Sequence, residues 1–139
     1  MPKINSKIFK VYDIRGKYPE EINEKVVAKI TSVFTDFLKK ELKRQKIKFV
    51  ICRDIRLSSE KLEQAAINSI NKNTGIKIIK AGLSTTPMFS FLVKQLKADG
   101  GIMITASHNP KEYNGLKMAV KNGLSISGEE IKGLIKSRK

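Results

Sequence analysis

The sequence predicts an α/β domain in which strands and helices alternate around a mixed sheet. Short apolar stretches rich in β-branched residues are separated by amphipathic stretches with helical spacing. Capping residues or a proline stand before most of the helical stretches. No repeat, low-complexity tract or linker interrupts the series, so we expect residues 1–139 to form one domain with a hydrophobic core.

The first half of the chain predicts two strands and two helices. Residues 8–12 are typical of a short strand that enters a turn at residues 13–16. Pro19 opens a long helix, with glutamates in its first turns and lysines in its last, as the helix dipole favours. An apolar strand follows at residues 47–52, and Ser58-Ser59 can cap the second helix.

The second half predicts three more strands and two more helices. Residues 76–79 form a strand, and Thr86-Pro87 places a capping hydroxyl before a first-turn proline. Residues 101–105 and 116–120 are the last two strands. The loop between them is too short for a parallel crossover, so we expect the final strand to pair antiparallel. Ser127-Gly-Glu-Glu130 has the spacing of a capping box and begins the last helix.

The charge balance is strongly basic. There are 28 Lys and Arg against 13 Asp and Glu, a formal net charge of +15. Such an excess fits a solvated basic surface, attraction of phosphorylated metabolites, an acidic partner, or nucleic-acid binding. We favour the solvated surface because most lysines fall on predicted helix surfaces. No basic run is interleaved with aromatic residues to form a stacking platform, so we do not expect nucleic acid as a partner.

The cysteine content and the hydropathy pattern predict a soluble cytoplasmic protein. Cys52 is the single cysteine, so no internal disulfide can form, and its apolar strand predicts burial in the core. No apolar stretch is long enough for a signal peptide or a membrane-spanning helix, so we expect no membrane partner.

The loop at residues 105–110, Thr-Ala-Ser-His-Asn-Pro, is the candidate functional segment. It follows a buried strand directly, and ligands in α/β sheets gather beyond the carboxyl ends of strands. Ser107, next to the chain's single histidine His108, suits a nucleophile or a phosphoryl carrier, although a structural role is the more common one for such a pair. A hydrolase triad is disfavoured, because the glycine-flanked elbow and a second histidine are lacking.

Four segments together resemble the α-D-phosphohexomutases of the phosphomannomutase/phosphoglucomutase kind. They are Phe9-Lys-Val-Tyr-Asp-Ile-Arg-Gly16, Arg53-Asp-Ile-Arg-Leu-Ser-Ser59, Gly82-Leu-Ser-Thr-Thr-Pro-Met88, and the 105–110 loop with Tyr113-Asn-Gly-Leu-Lys117. The resemblance spans nearly the whole chain in family order. It implies the fold of the family's first domain, a three-layer α/β/α arrangement with a mixed, mostly parallel sheet. The family's domains 2–4, with an Asp-Gly-Asp-Gly-Asp metal loop, have no counterpart in this sequence.

The resemblance implies a mechanism centred on Ser107. This residue would be a phosphoserine that exchanges its phosphoryl group with a hexose monophosphate through a bisphosphate intermediate. Its phosphate would also give one ligand to Mg²⁺ in an otherwise incomplete metal site. Lys117 and Arg15 would transfer a proton and stabilise charge, and His108 would hydrogen-bond the sugar or phosphate.

The same resemblance implies supporting residues and partners. Tyr12 and Asn109 would shape the loop and contact substrate, while Asp54 and Arg56 would form an ion pair or loop anchor. Hexose 1,6-bisphosphate would be the activator, and the phosphorylated hexose and the other domains of a full-length enzyme would be the partners. We expect the isolated domain to have little or no activity.

Two alternatives stay open. One is a stand-alone phosphosugar-binding or regulatory module, and the weaker one is a basic nucleic-acid-binding protein. The resemblance also offers another origin for the positive charge, namely a phosphate-binding cleft. A cleft of that kind requires basic side chains to cluster around Ser107 rather than spread evenly.

Overall fold

The computed structural model describes residues 3–138 as alternating strands and helices around one sheet. The elements are β1 (Ile14–Lys17), α1 (Glu24–Leu42), β2 (Ile47–Arg53), α2 (Ser59–Asn71), β3 (Ile76–Leu83), α3 (Thr86–Gln95), β4 (Gly100–Ile104), β5 (Tyr113–Val120), β6 (Ser125–Ile126) and α4 (Gly128–Ser137). Short 3₁₀ turns lie at Ser6–Ile8 and Lys121–Gly123. No helix in the described range is long and apolar enough to cross a membrane.

The sheet is mixed, as predicted, with the strand order β1-β5-β4-β2-β3 and β6 beside β5. Strand β2 pairs parallel with β3 and β4, whereas β5 pairs antiparallel with β4, β1 and β6. The predicted antiparallel pairing of the strand after β4 is therefore confirmed. Parallel pairing joins β4, β2 and β3 on one side of the sheet, and antiparallel pairing joins β1, β5 and β6 on the other.

Helices cover both faces of the sheet, which gives the three-layer arrangement. Helices α1, α2 and α4 bury their apolar stripes on one face, where Phe34 of α1 meets Phe49 of β2 edge to face. Helix α3 alone packs on the other face, through Phe89 and Val93. Cys52 is buried on this second face, as predicted. Helix α3 contacts β2, β4 and β5, and on the same face the side chains of Arg15 on β1 and Lys117 on β5 stay partly exposed.

The N-terminal segment differs from the sequence-based expectation. Residues 8–12 form no strand, since Ser6–Ile8 is a 3₁₀ turn and Phe9 makes only an isolated bridge to Ile14. The strand lies at the expected turn, because residues 14–17 find backbone partners on β5, about a hundred positions further along. The long helix begins at Glu24 rather than at Pro19, because the Asn23 side chain accepts a hydrogen bond from the Val26 N–H at 3.0 Å.

Two expected helix caps are also different. Helix α3 is capped by Thr85 rather than Thr86, through a 3.3 Å hydrogen bond from the Met88 N–H. Ser58 occupies the cap position of α2, but its side chain makes no capping hydrogen bond and accepts one from Asn114 instead. The capping box of α4 between Ser127 and Glu130 is confirmed.

Candidate functional site

The candidate loop lies between β4 and β5, at the carboxyl end of the parallel strands. Ser107 is partly exposed and has φ +55°, a left-handed conformation that a residue with a side chain adopts at a cost. Its N–H donates to the Thr105 hydroxyl at 3.0 Å. Ser107 and Asn109 line an open surface depression together with Lys111 and the segment that follows β2. The serine is therefore held in one strained backbone position beside solvent-accessible space.

Arg56 anchors this loop from the other side of the depression. Its guanidinium donates to the backbone carbonyl oxygens of Ser107 at 2.8 Å and Asn109 at 2.7 Å. It also reaches the carbonyl oxygens of Pro110 at 2.7 Å and Tyr113 at 3.1 Å. One planar cation thus binds four carbonyl groups of the loop, and of these the Pro110 oxygen also accepts from the Tyr113 N–H at 3.0 Å. The predicted loop-anchoring role of Arg56 is confirmed.

Asp54 connects Arg56 to the end of β4. Its carboxylate accepts from Arg56 Nε at 3.2 Å, from the Ser59 hydroxyl at 2.6 Å and from the Thr105 hydroxyl at 2.8 Å. The predicted ion pair between Asp54 and Arg56 is therefore present. Because the same carboxylate binds Thr105 at the end of β4 and Arg56, which holds the loop backbone, the strand end and the loop are fixed relative to each other.

Asn114 extends this network into the buried start of α2. Its side-chain amide donates to the hydroxyls of Ser58 at 2.7 Å and Ser59 at 3.0 Å, and its side-chain oxygen accepts from the Gly115 N–H. Asn114 is fully buried, so each of these bonds replaces a contact with water. The returning strand β5 is thereby tied to the helix that carries Ser59.

Arg15 and Lys117 meet at one buried carboxylate, that of Asp13. Arg15 Nε donates to Asp13 Oδ1 at 2.9 Å, and Lys117 Nζ lies 3.8 Å from Asp13 Oδ2. Arg15 also donates to the Asn109 side-chain oxygen at 2.6 Å, which connects β1 to the Ser107 loop. Both cations lie on the face of the sheet that carries α3, and both remain partly exposed. Three of the predicted site residues are thus within one connected cluster beside Ser107.

The other two predicted site residues lie at the surface. Tyr12 is 74% exposed, and His108 is exposed at the tip of the loop. The hydrogen bonds among the described residues include neither side chain. The structure therefore places them where a ligand can reach them, without a contact that would assign either a role.

Glu63 is a further buried acid at the same end of the sheet. Its Oε1 lies 3.4 Å from Arg53 Nε at the end of β2, while its Oε2 has no hydrogen-bond partner in the described structure. Burial is the largest influence on this group and raises its pKa, although Arg53 and Lys80 oppose the effect. The Cys52 thiol nearby has its pKa raised to about 12, chiefly by burial, so it stays protonated and unreactive.

The basic side chains do not gather around Ser107 alone. Arg15, Arg56, Lys111 and Lys117 lie near the loop, but another five basic residues line a groove at the opposite edge of the sheet. A phosphate-binding cleft would require the basic side chains to cluster around Ser107, so a cleft there does not account for the whole positive charge. The solvated-surface interpretation accounts better for the spread of charge.

Sequence reasoning assigned no role to two residues that organise this site. Asp13 lies within the first resembling segment but was not expected to hold both cations, and Asn114 lies within the last. Arg56 was expected to anchor a loop, but its four carbonyl acceptors were not identified. Both missed residues sit inside the resembling segments, so their place in those segments was the available signal.

The fold and the site together define an α/β/α domain that presents a serine on a strained, arginine-anchored loop beside two cations. Residues 6–139 match the family model described as phosphoglucomutase/phosphomannomutase, alpha/beta/alpha domain I. The chain belongs to this family and has the fold of its first domain.

Individual relatives agree with the family model. The chain is 40% identical to an Escherichia coli phosphomannomutase over 121 residues, 87% of this chain and 25% of that protein. A Klebsiella pneumoniae phosphomannomutase is also 40% identical, over 87% of this chain and 73% of its own length. The crystal structure of a phosphoglucomutase/phosphomannomutase family protein from Burkholderia thailandensis matches with a TM-score of 0.82 and 32% identity, over 96% of this chain and 30% of that one. The chain thus spans about a quarter of the length of the Escherichia coli relative.

Proposed function

We propose that Ser107 carries the phosphoryl group of a phosphohexomutase that interconverts hexose 1-phosphate and hexose 6-phosphate through a bisphosphate intermediate. The observation that carries the proposal is the strained Ser107 backbone held by Arg56, with Arg15 tied to the adjacent Asn109. Family membership and the phosphomannomutase relatives support the same conclusion.

The chemistry requires the residues around Ser107 to transfer protons and to stabilise negative charge. In the first half-reaction, a bond forms from the sugar oxygen to phosphorus while the bond from phosphorus to Ser107 Oγ breaks. The sugar hydroxyl gives up its proton, and the serine oxygen regains one when it leaves. Lys117 is the proposed proton carrier, and the Arg15 guanidinium would stabilise the negative charge on the moving phosphoryl group.

Asp13 and Arg56 fix the geometry that this reaction requires. Asp13 holds the Arg15 and Lys117 side chains from one buried position, so neither must be reoriented during transfer. Arg56 acts on the loop backbone rather than on substrate, and it is a positioning residue. His108, Tyr12 and Asn109 are the proposed substrate contacts, since Asn109 lines the depression with Ser107 and the other two side chains are exposed.

The described residues do not by themselves fit the Mg²⁺ site that the resemblance implies. Residues 3–138 contain no cluster of three or more His, Cys, Asp or Glu that could hold a metal ion. The two carboxylates connected to the loop, Asp13 and Asp54, already accept from cations and hydroxyls. A phosphate on Ser107 would supply one oxygen ligand, and the other protein ligands would have to come from elsewhere.

The proposal also includes additional protein around the loop. Ile55 and Leu57 beside the Ser107 depression are 86% and 100% exposed, and they would be covered if further domains packed there. We therefore propose that the 139 residues act within a longer cytoplasmic enzyme, with hexose 1,6-bisphosphate as activator, and have little mutase activity alone.

A chimera tests the proposal directly. The matched region of the Escherichia coli phosphomannomutase is replaced by this chain, and mutase activity is measured with Mg²⁺ and glucose 1,6-bisphosphate. We expect activity in the chimera and a loss of at least about 10³-fold after Ser107→Ala. The control Ser125→Ala changes an exposed serine on β6 and should leave activity unchanged.

Mass spectrometry provides the second readout. Phosphoserine should map to position 107 in the active chimera and be absent from Ser107→Ala. A folded Ser107→Ala chimera that keeps full activity would refute the proposal. A folded chimera that binds glucose 1,6-bisphosphate without turnover or phosphorylation would instead favour the phosphosugar-binding module.

A further inference from the structure

A basic groove lies at the edge of the sheet opposite the Ser107 loop. It has a volume of about 640 Å³ and lies at the amino ends of β2 and β3. Five basic residues line it, Arg44, Lys46, Lys48, Lys77 and Lys97, and Asp99 is the single acidic residue among its lining. Seven-residue strand β2 separates the two edges by roughly 20 Å, so the groove is distinct from the candidate active site.

Two of the five basic groups are already committed to protein partners. Arg44 pairs with Asp99, which also accepts from the Lys48 backbone N–H, and this neutralises the only carboxylate. Lys48 Nζ donates to the Leu96 carbonyl at the end of α3. Within residues 3–138, the Lys46, Lys77 and Lys97 ammonium groups have no hydrogen-bond or ion-pair partner. The groove therefore holds three uncompensated positive charges.

The backbone conformation of Lys97 is a second, independent observation about the groove. It follows α3 with φ +54°, the left-handed position at a helix end where glycine is usual. Lysine at such a position carries a conformational cost that glycine avoids. Lys43, after α1, has φ +52° and the same cost but lies outside the groove lining. The two lysines therefore form a matched pair that separates backbone strain from groove charge.

We propose that this groove is a second anion site and binds a short oligophosphate, a ligand with two or three linked phosphate groups. Three free ammonium groups match a ligand of several charges better than a single phosphate. Ile47 and Ile76 also line the groove, and its described lining includes no aromatic residue on which a nucleic-acid base could stack. The inference is independent of the proposed role of Ser107.

Titration with inorganic tripolyphosphate, followed by amide NMR shifts of the 139-residue chain, tests the site. We expect shifts at the groove residues, weaker binding of sulfate, and no change in the groove shifts after Ser107→Ala. Lys46→Ala and Lys77→Ala should each weaken tripolyphosphate binding by roughly threefold or more. Shifts restricted to the Ser107 loop, no shifts at all, or equal affinity for sulfate would each overturn the proposal.

The matched glycine variants give the sharper test. Lys97→Gly should raise the melting temperature by roughly 3 °C and weaken tripolyphosphate binding by roughly threefold, because it relieves strain while removing a charge. Lys43→Gly should give a similar rise in melting temperature with unchanged binding. Equal binding losses in both variants would show a general surface-charge effect and would contradict a built groove. A single-stranded oligonucleotide that bound more tightly than tripolyphosphate, with shifts beyond the groove, would contradict it as well.

Discussion

The two edges of the sheet hold their basic side chains in opposite ways. At the Ser107 edge, Arg56 is bound to four carbonyl groups and Asp54, and Arg15 and Lys117 share Asp13. At the groove edge, Lys46 and Lys77 have no such partner among the described residues. The number of positive charges is similar, but their freedom to move differs.

This difference teaches that partners, rather than charge alone, mark a site suited to catalysis. A cation held by a buried acid keeps its direction while the charge on a substrate changes, and such preorganisation lowers a reaction barrier. A hydrated lysine on a flexible stem must be ordered by its ligand, so it suits binding without chemistry. The side chains at the Ser107 edge should therefore be more rigid than those at the groove edge.

Removing the loop anchor should have the largest effect. Arg56→Ala removes the hydrogen-bond donor that four loop carbonyl oxygens share and leaves Asp54 without its cation, so we expect a loss of about 3 kcal/mol in the free energy of unfolding. The matched control is Arg138→Ala, which removes an exposed pair with Asp36 and should cost less than about 1 kcal/mol. Urea unfolding measures both, and equal losses would mean that Arg56 is no more than a surface cation.

Separating β1 from β5 should have the next largest effect. A methyl group built on Gly115 would overlap the Ile14 carbonyl oxygen, so Gly115→Ala must push β1 away and carry Arg15 with it. We expect a loss of about 2 kcal/mol and faster amide exchange in β1. Gly133→Ala is the matched control, since nothing lies within 4 Å of its added methyl group in α4. It should gain about 1 kcal/mol, and a loss at Gly133 matching that at Gly115 would rule out the steric explanation.

The sequence predicted what depends on local pattern. The order of helices and strands from α1 to β5, the antiparallel return of β5 and the α4 capping box follow from neighbouring residues, and all are present. The candidate loop was also found this way, because its serine directly follows a buried strand. The choice of cap between Thr85 and Thr86 was wrong, since both carry a hydroxyl and only the backbone conformation distinguishes them.

The parts that were not predicted depend on distant pairing. Arg15 meets Lys117 only because β1 pairs with β5 across about a hundred positions, and residues 14–17 contain no local sign of that partner. The groove likewise exists because the parallel register places Ile47 beside Ile76, which brings Lys46 and Lys77 together. The spacing of residues along the chain predicts neither the Arg15 and Lys117 cluster nor the groove.

The smallest expected effect concerns Glu63, a buried acid at the Ser107 edge whose Oε2 has no hydrogen-bond partner among residues 3–138. Burial raises its pKa above the ordinary value of 4.5, so the folded state holds the proton more tightly than the unfolded state. The stability that this gives is complete below the ordinary pKa and is lost as pH rises through the raised pKa.

Glu63→Gln removes this pH dependence and the buried charge. We therefore expect the variant to be more stable than the parent chain near neutral pH, measured by urea unfolding across pH. The difference should shrink as pH falls through the raised pKa towards 4.5 and stay constant at lower pH. Glu41→Gln, at an exposed position on α1, should show no comparable difference. A variant less stable than the parent at neutral pH would show that the contact with Arg53 outweighs burial. Glu63 would then belong with Asp13 and Asp54, as a third acid that holds a cation in place at this edge.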